Sequence, residues 1–212
     1  MGVKSLKKAF VVDFDGTITV KDVGFSIIQK FAGDGWKEIG DRWIKKEIGT
    51  SECGQKQWNL INYNDEEIRS FASKFEINPG FKEFIDITKK NSYKVVITSD
   101  GYDIYIKEIL KGNGLEDLEL SCNSAVYDKG WKLSFLNTDK ECDLCGNCKK
   151  KVVEKLKDEG YEVYYVGDGH SDRCACVYAD KIFAKSFLKQ HCEEQNIPYY
   201  DFNTFYDVIK HM

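Results

Sequence analysis

The sequence predicts an α/β fold: a doubly wound, Rossmann-like parallel sheet core with a helical cap inserted after the first strand. Three observations carry this. A short apolar run, Ala9-Phe10-Val11-Val12, ends in the polar segment Asp13-Phe14-Asp15-Gly16-Thr17. A long stretch with helical periodicity follows it. From Tyr93 onward the pattern alternates between strand and helix. The expected division is 1–20 and 79–212 for the core, with 21–78 as the cap.

The elements follow in order. The run before Asp13 is a buried strand. In the insert, Trp36, Ile39, Trp43, Ile44 and Ile48 recur at helical spacing. Asn64 precedes Asp65-Glu66-Glu67 and then Ile68, Phe71, Ala72 and Phe75. That is an N-cap, acids at the positive helix end, and one apolar face. Trp36, Trp43, Trp58 and Phe71 read as mostly core, with one or two left to line a pocket. Asn78-Pro79-Gly80 is a break, after which Phe81, Phe84 and Ile85 begin a helix. Tyr93 to Thr98 is a strand, and Tyr102, Tyr105, Ile106, Ile109 and Leu110 form a helical stripe closed by Gly112. Leu118 to Leu120 is a short strand. The flanks of Asp128-Lys129-Gly130 form a hairpin. Val152, Val153 and Leu156 line a helix ending at Gly160, and Tyr161 to Val166 is a strand. Ser171 or Asp172 caps the next helix. Lys181 to Ala184 is the last core strand, and Asn203 caps a terminal helix through Ile209.

The 212 residues are enough for one sizeable core and a small second module. The net charge of −4, with acids and bases interspersed, argues against a nucleic-acid partner. No apolar run approaches a membrane span, so no membrane partner is expected. Met1 to Lys8 leave no room for a secretory apolar region, and Leu6 stands where myristoylation needs Ser or Thr. A cytoplasmic monomer or homodimer with reduced cysteines is the expectation.

The chemistry-bearing residues sit at strand ends. In open α/β sheets the carboxyl ends of strands face the ligand crevice. Asp13 and Asp15 would stand there together. One carboxylate can attack or bind metal while the other moves a proton. The bland alternative is a polar strand end and a turn. Thr98-Ser99-Asp100-Gly101 supplies a hydroxyl and backbone N–H groups at a helix entrance, which suits an anion. Gly167-Asp168-Gly169-His170-Ser171-Asp172 puts two carboxylates on a Gly-rich turn, suited to Mg²⁺. Lys149-Lys150-Lys151 opens a helix, where a lysine can neutralise a nucleophile or hold phosphate oxygens. Each signal alone also reads as a turn, a cap or a solvated face. In combination they complete a site.

These four segments resemble the motifs of the haloacid dehalogenase superfamily, and the insert resembles its helical cap of the first type. Within it the chain is similar to the phosphoserine phosphatase-like branch. It looks closest to phosphatases of 2-hydroxy-3-keto-5-methylthiopentenyl-1-phosphate in methionine salvage. The resemblance implies a phosphoric monoester hydrolase acting on a small phosphorylated metabolite. Asp13 would be the nucleophile, Asp15 the general acid and then base. Ser99, the Asp100 N–H and Lys149 would bind phosphate, with Lys150 and Lys151 as alternatives to Lys149. Asp13, the Asp15 carbonyl and Asp168 would hold Mg²⁺, supported by Asp172. Asp22 falls where related phosphatases place a cap carboxylate that meets a substrate amine. An exposed acidic helix start explains it equally.

Cys142-x-x-Cys145-x-x-Cys148 stands outside this scheme. Three readings stay open: reduced thiols that shape the loop, a Zn²⁺ site completed by Cys122, or an iron–sulfur centre. His170 reads as a phosphate contact or a loop residue, and His191 and His211 as surface. This first reading therefore has two competitors. One is a phosphoserine phosphatase or phosphotransferase on the same core, and the other a metal- or redox-sensing module run by the cysteines.

Overall fold

The computed structural model describes residues 7–139, 142 and 145–212. The chain begins with β1 (Lys7–Asp13), followed by an irregular turn, Phe14–Ile18. Four helices come next: α1 (Val23–Phe31), α2 (Trp36–Ile44), α3 (Thr50–Trp58) and α4 (Asp65–Ala72). The chain continues through α5 (Phe81–Lys90), β2 (Lys94–Tyr102), α6 (Asp103–Gly112), β3 (Glu119–Tyr127) and β4 (Trp131–Ser134). It ends with α7 (Lys149–Asp158), β5 (Tyr161–Gly167), α8 (Arg173–Cys176), β6 (Lys181–Ala184), α9 (Ser186–Glu194), β7 (Tyr200–Asp201) and α10 (Phe205–Ile209).

The strands form one sheet in the order β4-β3-β2-β1-β5-β6-β7, parallel except for β3 with β4. β1 is central, with Val12 beside Ile97 of β2 and Val166 of β5. This register brings the residues after all three strands to one edge. Side chains alternate across the sheet as a pleated strand requires. Phe10 and Val12 enter a large cluster with α5, α6 and α10, while Ala9 and Val11 join Val153, Leu156 and Leu188 on the other face. Helices on both faces make the sheet doubly wound.

Several elements differ in detail from expectation. The short strand and the hairpin arm are one strand, β3, which leaves β2 to pair with β4. β7 extends the sheet beyond β6; its two exposed residues carry no apolar run to announce it. Thr204, rather than Asn203, caps α10 and closes a capping box with Asp207. The Asn64–Glu67 box at α4 forms as expected.

The insert shares the main hydrophobic cluster with the sheet. Val23, Ile27, Trp58, Ile68 and Ala72 pack in it alongside Phe10, Phe14 and Tyr105. Arg69 of α4 donates to the Ile104 carbonyl of α6. Trp58 stacks edge-on against Tyr102 at 4.6 Å and Trp131 at 4.8 Å, and the Trp131 indole donates to the Tyr63 carbonyl. α2 differs: none of its residues is buried, and Ile44 is 65% exposed. The expectation for the cap aromatics therefore divides. Trp58 is core, while Trp36, Trp43 and Phe71 are half-buried.

This contrast predicts stability. Trp58→Ala should cost about 3–5 kcal/mol in urea unfolding, the range for deleting a buried aromatic. Ile44→Ala should change stability by no more than about 0.5 kcal/mol, as an exposed position does.

Candidate active site

Asp13 ends the central strand and is almost buried. Gly16 turns the chain behind it with φ of +77°, and a Cβ there would lie 2.7 Å from Asp168 Oδ2. Only glycine suits both the angle and the approach. Lys149, the first residue of α7, donates to Asp13 Oδ1 at 2.5 Å and to Asp172 Oδ1 at 2.7 Å. Lys150 instead pairs with Glu154, and Lys151 donates to the Thr138 carbonyl. Of the three lysines, Lys149 is the one that faces the aspartates. Burial alone would lower its affinity for a proton. Asp13, Asp172 and Asp100 together hold its ammonium above the usual lysine range.

Asp15 points elsewhere. Its Oδ1 accepts from the N–H groups of Val23 and Gly24 at the start of α1, both at 3.1 Å. Its Oδ2 accepts from Ser99 Oγ at 3.1 Å and Tyr105 Oη at 2.8 Å. Burial, then repulsion from Asp22, push this carboxyl up to about 6, against the pull of those donors. A carboxyl near neutrality can both give and take a proton.

Ser99 Oγ also accepts from Gly101 N–H at 2.8 Å. Asp100 Oδ1 accepts from Asn147 N–H at 2.6 Å, and Asn123 Nδ2 donates to the Asp100 carbonyl at 2.7 Å. Asn147 Nδ2 then reaches Thr98 Oγ1 and the Ser121 carbonyl, both at 3.0 Å. This buried amide ties the segment before α7 to β2 and β3. Asn147, Tyr105 and Tyr165 are site residues that the sequence reading passed over. Their only signal was a polar group inside an apolar or turn-like context.

Asp168 accepts from Thr17 Oγ1 at 2.7 Å. Asp172 is fully buried and does not cap α8 with its side chain. Its Oδ1 accepts from Lys149 and, at 2.6 Å, from Tyr165 Oη; its Oδ2 accepts from the N–H groups of Asp168 and Gly169. Both oxygens are occupied twice, which fixes the turn and aims Lys149. Among the described residues, Asp13, Asp168 and Asp172 are the one group with ligand atoms all within 4.8 Å of one another. Burial, then repulsion from Asp172, push Asp13 well above the usual carboxylate range. Burial raises Asp168 as well. Hard anionic oxygens crowded in this way fit a Mg²⁺ ion. The Asp15 carboxylate takes no part in the group. Asp13 Oδ2 carries no hydrogen bond among the described residues, whereas Asp172 has no free oxygen.

The site opens into a cavity of about 570 Å³. Asp13, Asp15, Ser99, Lys149 and Asp168 form its floor, and Phe25, Ile28, Trp36, Trp43, Ile44 and Trp58 its apolar wall. Asp22 lies in it, accessible yet ringed by protein, and burial raises its carboxyl; its Oδ1 caps α1 through Phe25 N–H at 2.7 Å. His170 lines the rim, stacked on Phe187 and 6.1 Å from Trp43.

The Zn²⁺ expectation for the cysteines is not supported. Among the described residues, Cys122, Cys142, Cys145 and Cys148 form no metal-ligating group. Cys122 packs against the main core, and Cys148 is buried at the start of α7. Burial foremost pushes the Cys122 and Cys145 thiols up to about 12, where they stay protonated.

A family model described as Putative Phosphatase matches residues 9–186. The chain is 34% identical, over 94% of both chains, to a 2-hydroxy-3-keto-5-methylthiopentenyl-1-phosphate phosphatase of Bacillus thuringiensis (strain Al Hakam). The same identity and coverage hold for the phosphatase of that name in Bacillus cereus (strain AH820). A solved phospho-aspartyl intermediate analogue of phosphoserine phosphatase superposes with a TM-score of 0.72. It is 20% identical and matches 98% of this chain and 100% of its own, a likeness of fold.

The charge arrangement predicts unequal lysines. Lys149→Met leaves buried aspartates without their cation and should cost about 3–5 kcal/mol in denaturant unfolding. Lys150→Met removes a surface pair with Glu154 and should leave the unfolding midpoint essentially unchanged.

Proposed function

The chain belongs to the phosphatase family whose model spans residues 9–186, within the haloacid dehalogenase superfamily, and on that premise we propose that it hydrolyses a small phosphate monoester. The observation that carries this is the buried Asp13–Lys149–Asp172 chain beside Asp168, set at the floor of an open cavity. The substrate we propose is 2-hydroxy-3-keto-5-methylthiopentenyl-1-phosphate, after the relatives of that name. The apolar wall suits a methylthio tail. Phosphoserine fits less well. Its carboxylate would meet Lys37 and His170, because Lys149 is already shared by two aspartates. Asp22 is the feature that favours it, as a partner for the ammonium group.

In this reading Asp13 attacks phosphorus and the bond from phosphorus to the ester oxygen breaks. Asp15 gives its proton to that leaving oxygen. Water then attacks the aspartyl-phosphate, Asp15 takes a proton back, and inorganic phosphate leaves with Asp13 restored. Ser99 and the backbone at Asp100 hold phosphate oxygens, and Lys149 offsets their charge. Asp13 and Asp168 would hold Mg²⁺, which supplies charge neutralisation at the phosphoryl group. Asp172 orients Lys149 and the 167–172 turn. Residues 21–78 act as a cap that shields the reaction from water.

Two outcomes are expected. Phosphate release from 4-nitrophenyl phosphate should require Mg²⁺, and Asp13→Asn should lower kcat by at least about a thousandfold. A screen that includes the methylthio-ketopentenyl ester and phosphoserine should favour the former; release from no phosphate ester would defeat the reading. Independently, Mg²⁺ at about 100 times its Kd should stabilise the fold by about 2.7 kcal/mol in thermal unfolding. Asp168→Asn should abolish that response.

A further inference from the structure

Tyr105 is completely buried in the apolar stripe of α6, between Ile104 and Ile106. Its ring packs with Phe14 at 6.4 Å, a place that phenylalanine would fill as well. Its hydroxyl is the feature that packing does not require. A buried phenol needs a partner, and here the partner is Asp15 Oδ2 at 2.8 Å. Two glycines make room for it. A Cβ at Gly101, near the end of β2, would overlap the hydroxyl, and one at Gly24 of α1 would come to 3.0 Å of it.

The donors on Asp15 are not equivalent. Val23 and Gly24 are fixed in the first turn of α1 and serve Oδ1. Ser99 and Tyr105 serve Oδ2. Ser99 lines the cavity, and its hydroxyl has another acceptor when a phosphate arrives. Tyr105 borders the same cavity, but its hydroxyl is hemmed in by the backbone at Gly24 and Gly101, and among the described residues its acceptor is Asp15 Oδ2. We propose that Tyr105 is a positioning residue for Asp15 that alone holds Oδ2 once phosphate takes the Ser99 hydroxyl. This rests on the phosphatase reading above. Release of Ser99 also frees on Oδ2 the lone pair that a transferred proton needs. Phosphate arrival and readiness for proton transfer are thereby linked through one hydroxyl, while the other keeps the carboxylate from turning.

The test is Tyr105→Phe, which removes one oxygen and keeps the ring. It is run with Mg²⁺ on two esters, 4-nitrophenyl phosphate and n-butyl phosphate. Nitrophenolate leaves without a proton, whereas butoxide needs one. For butyl phosphate, kcat should fall about 10- to 100-fold with KM within about twofold, a fraction of what acid–base catalysis supplies. For the nitrophenyl ester, the first turnover should stay within about threefold of the parent. Slow hydrolysis of the aspartyl-phosphate should then show as a burst of one nitrophenolate per active site. An equal loss on both esters without a burst, or no loss at all, overturns the proposal. If the parent turns over only the nitrophenyl ester, the burst alone decides. If the parent turns over neither ester, the phosphatase reading fails and this proposal fails with it. That result is distinct from an active parent with an unaffected variant.

Discussion

The structure depends on one ammonium group in a field of carboxylates. Lys149 is buried, and so are Asp13 and Asp172, which it bridges. Taking such charges out of water costs several kcal/mol each, so the pairing holds only if the remaining bonding positions are filled. They are filled around Asp172, by Tyr165 and two backbone N–H groups. Around Asp13 and Asp168 they are not, and the charges do not balance. The fold thus carries a built-in attraction for a further cation at the floor of its cavity. Much of the local backbone follows from this: the turn at Gly16 that clears Asp168, and the 167–172 turn that wraps Asp172. At Gly167 a Cβ would stand 2.5 Å from Asp172 Oδ2.

The parts legible in the sequence are those whose signal is local. The run before Asp13, the repeated strand–helix pattern and the Asn64 cap each lie within a few residues. The family resemblance put Lys149 first among three adjacent lysines, and the structure turns that residue inward. What escaped was chemistry acting across long separations. Tyr105 meets Asp15 from 90 residues away, and Asn147 meets Thr98 from 49. A tyrosine in a helical apolar stripe reads as core, and its ring is core. Only its oxygen belongs to the site, and periodicity is blind to one oxygen. β3 escaped for a related reason: it pairs with β2 and then with β4, and it is buried only at Asn123 and Ala125, so no continuous apolar run marks it.

The insert departs from the picture of a separate lid on a hinge. α1, α3 and α4 lend side chains to the same apolar cluster as the sheet. Trp58 is gripped between Tyr102, the last residue of β2, and Trp131 of β4. Most of the insert is therefore bound to the core by desolvated aromatic contacts. α2, with no buried residue, is the part least restrained by packing. It also contributes Trp36, Trp43 and Ile44 to the cavity wall, so the least anchored element is one that lines the cavity.

The slot around the Tyr105 hydroxyl has a historical consequence. Position 24 is distant along the chain from 101 and 105, yet all three meet in one small volume. A side chain at position 101 is excluded by more than the phenol oxygen: its Cβ would also stand 2.7 Å from Asp15 Oδ2 and from the ring carbon that carries the hydroxyl. Descent can therefore shed the hydroxyl and keep the ring, but it cannot fill position 101 while Asp15 stands there. Of the two positions, the glycine is the more constrained.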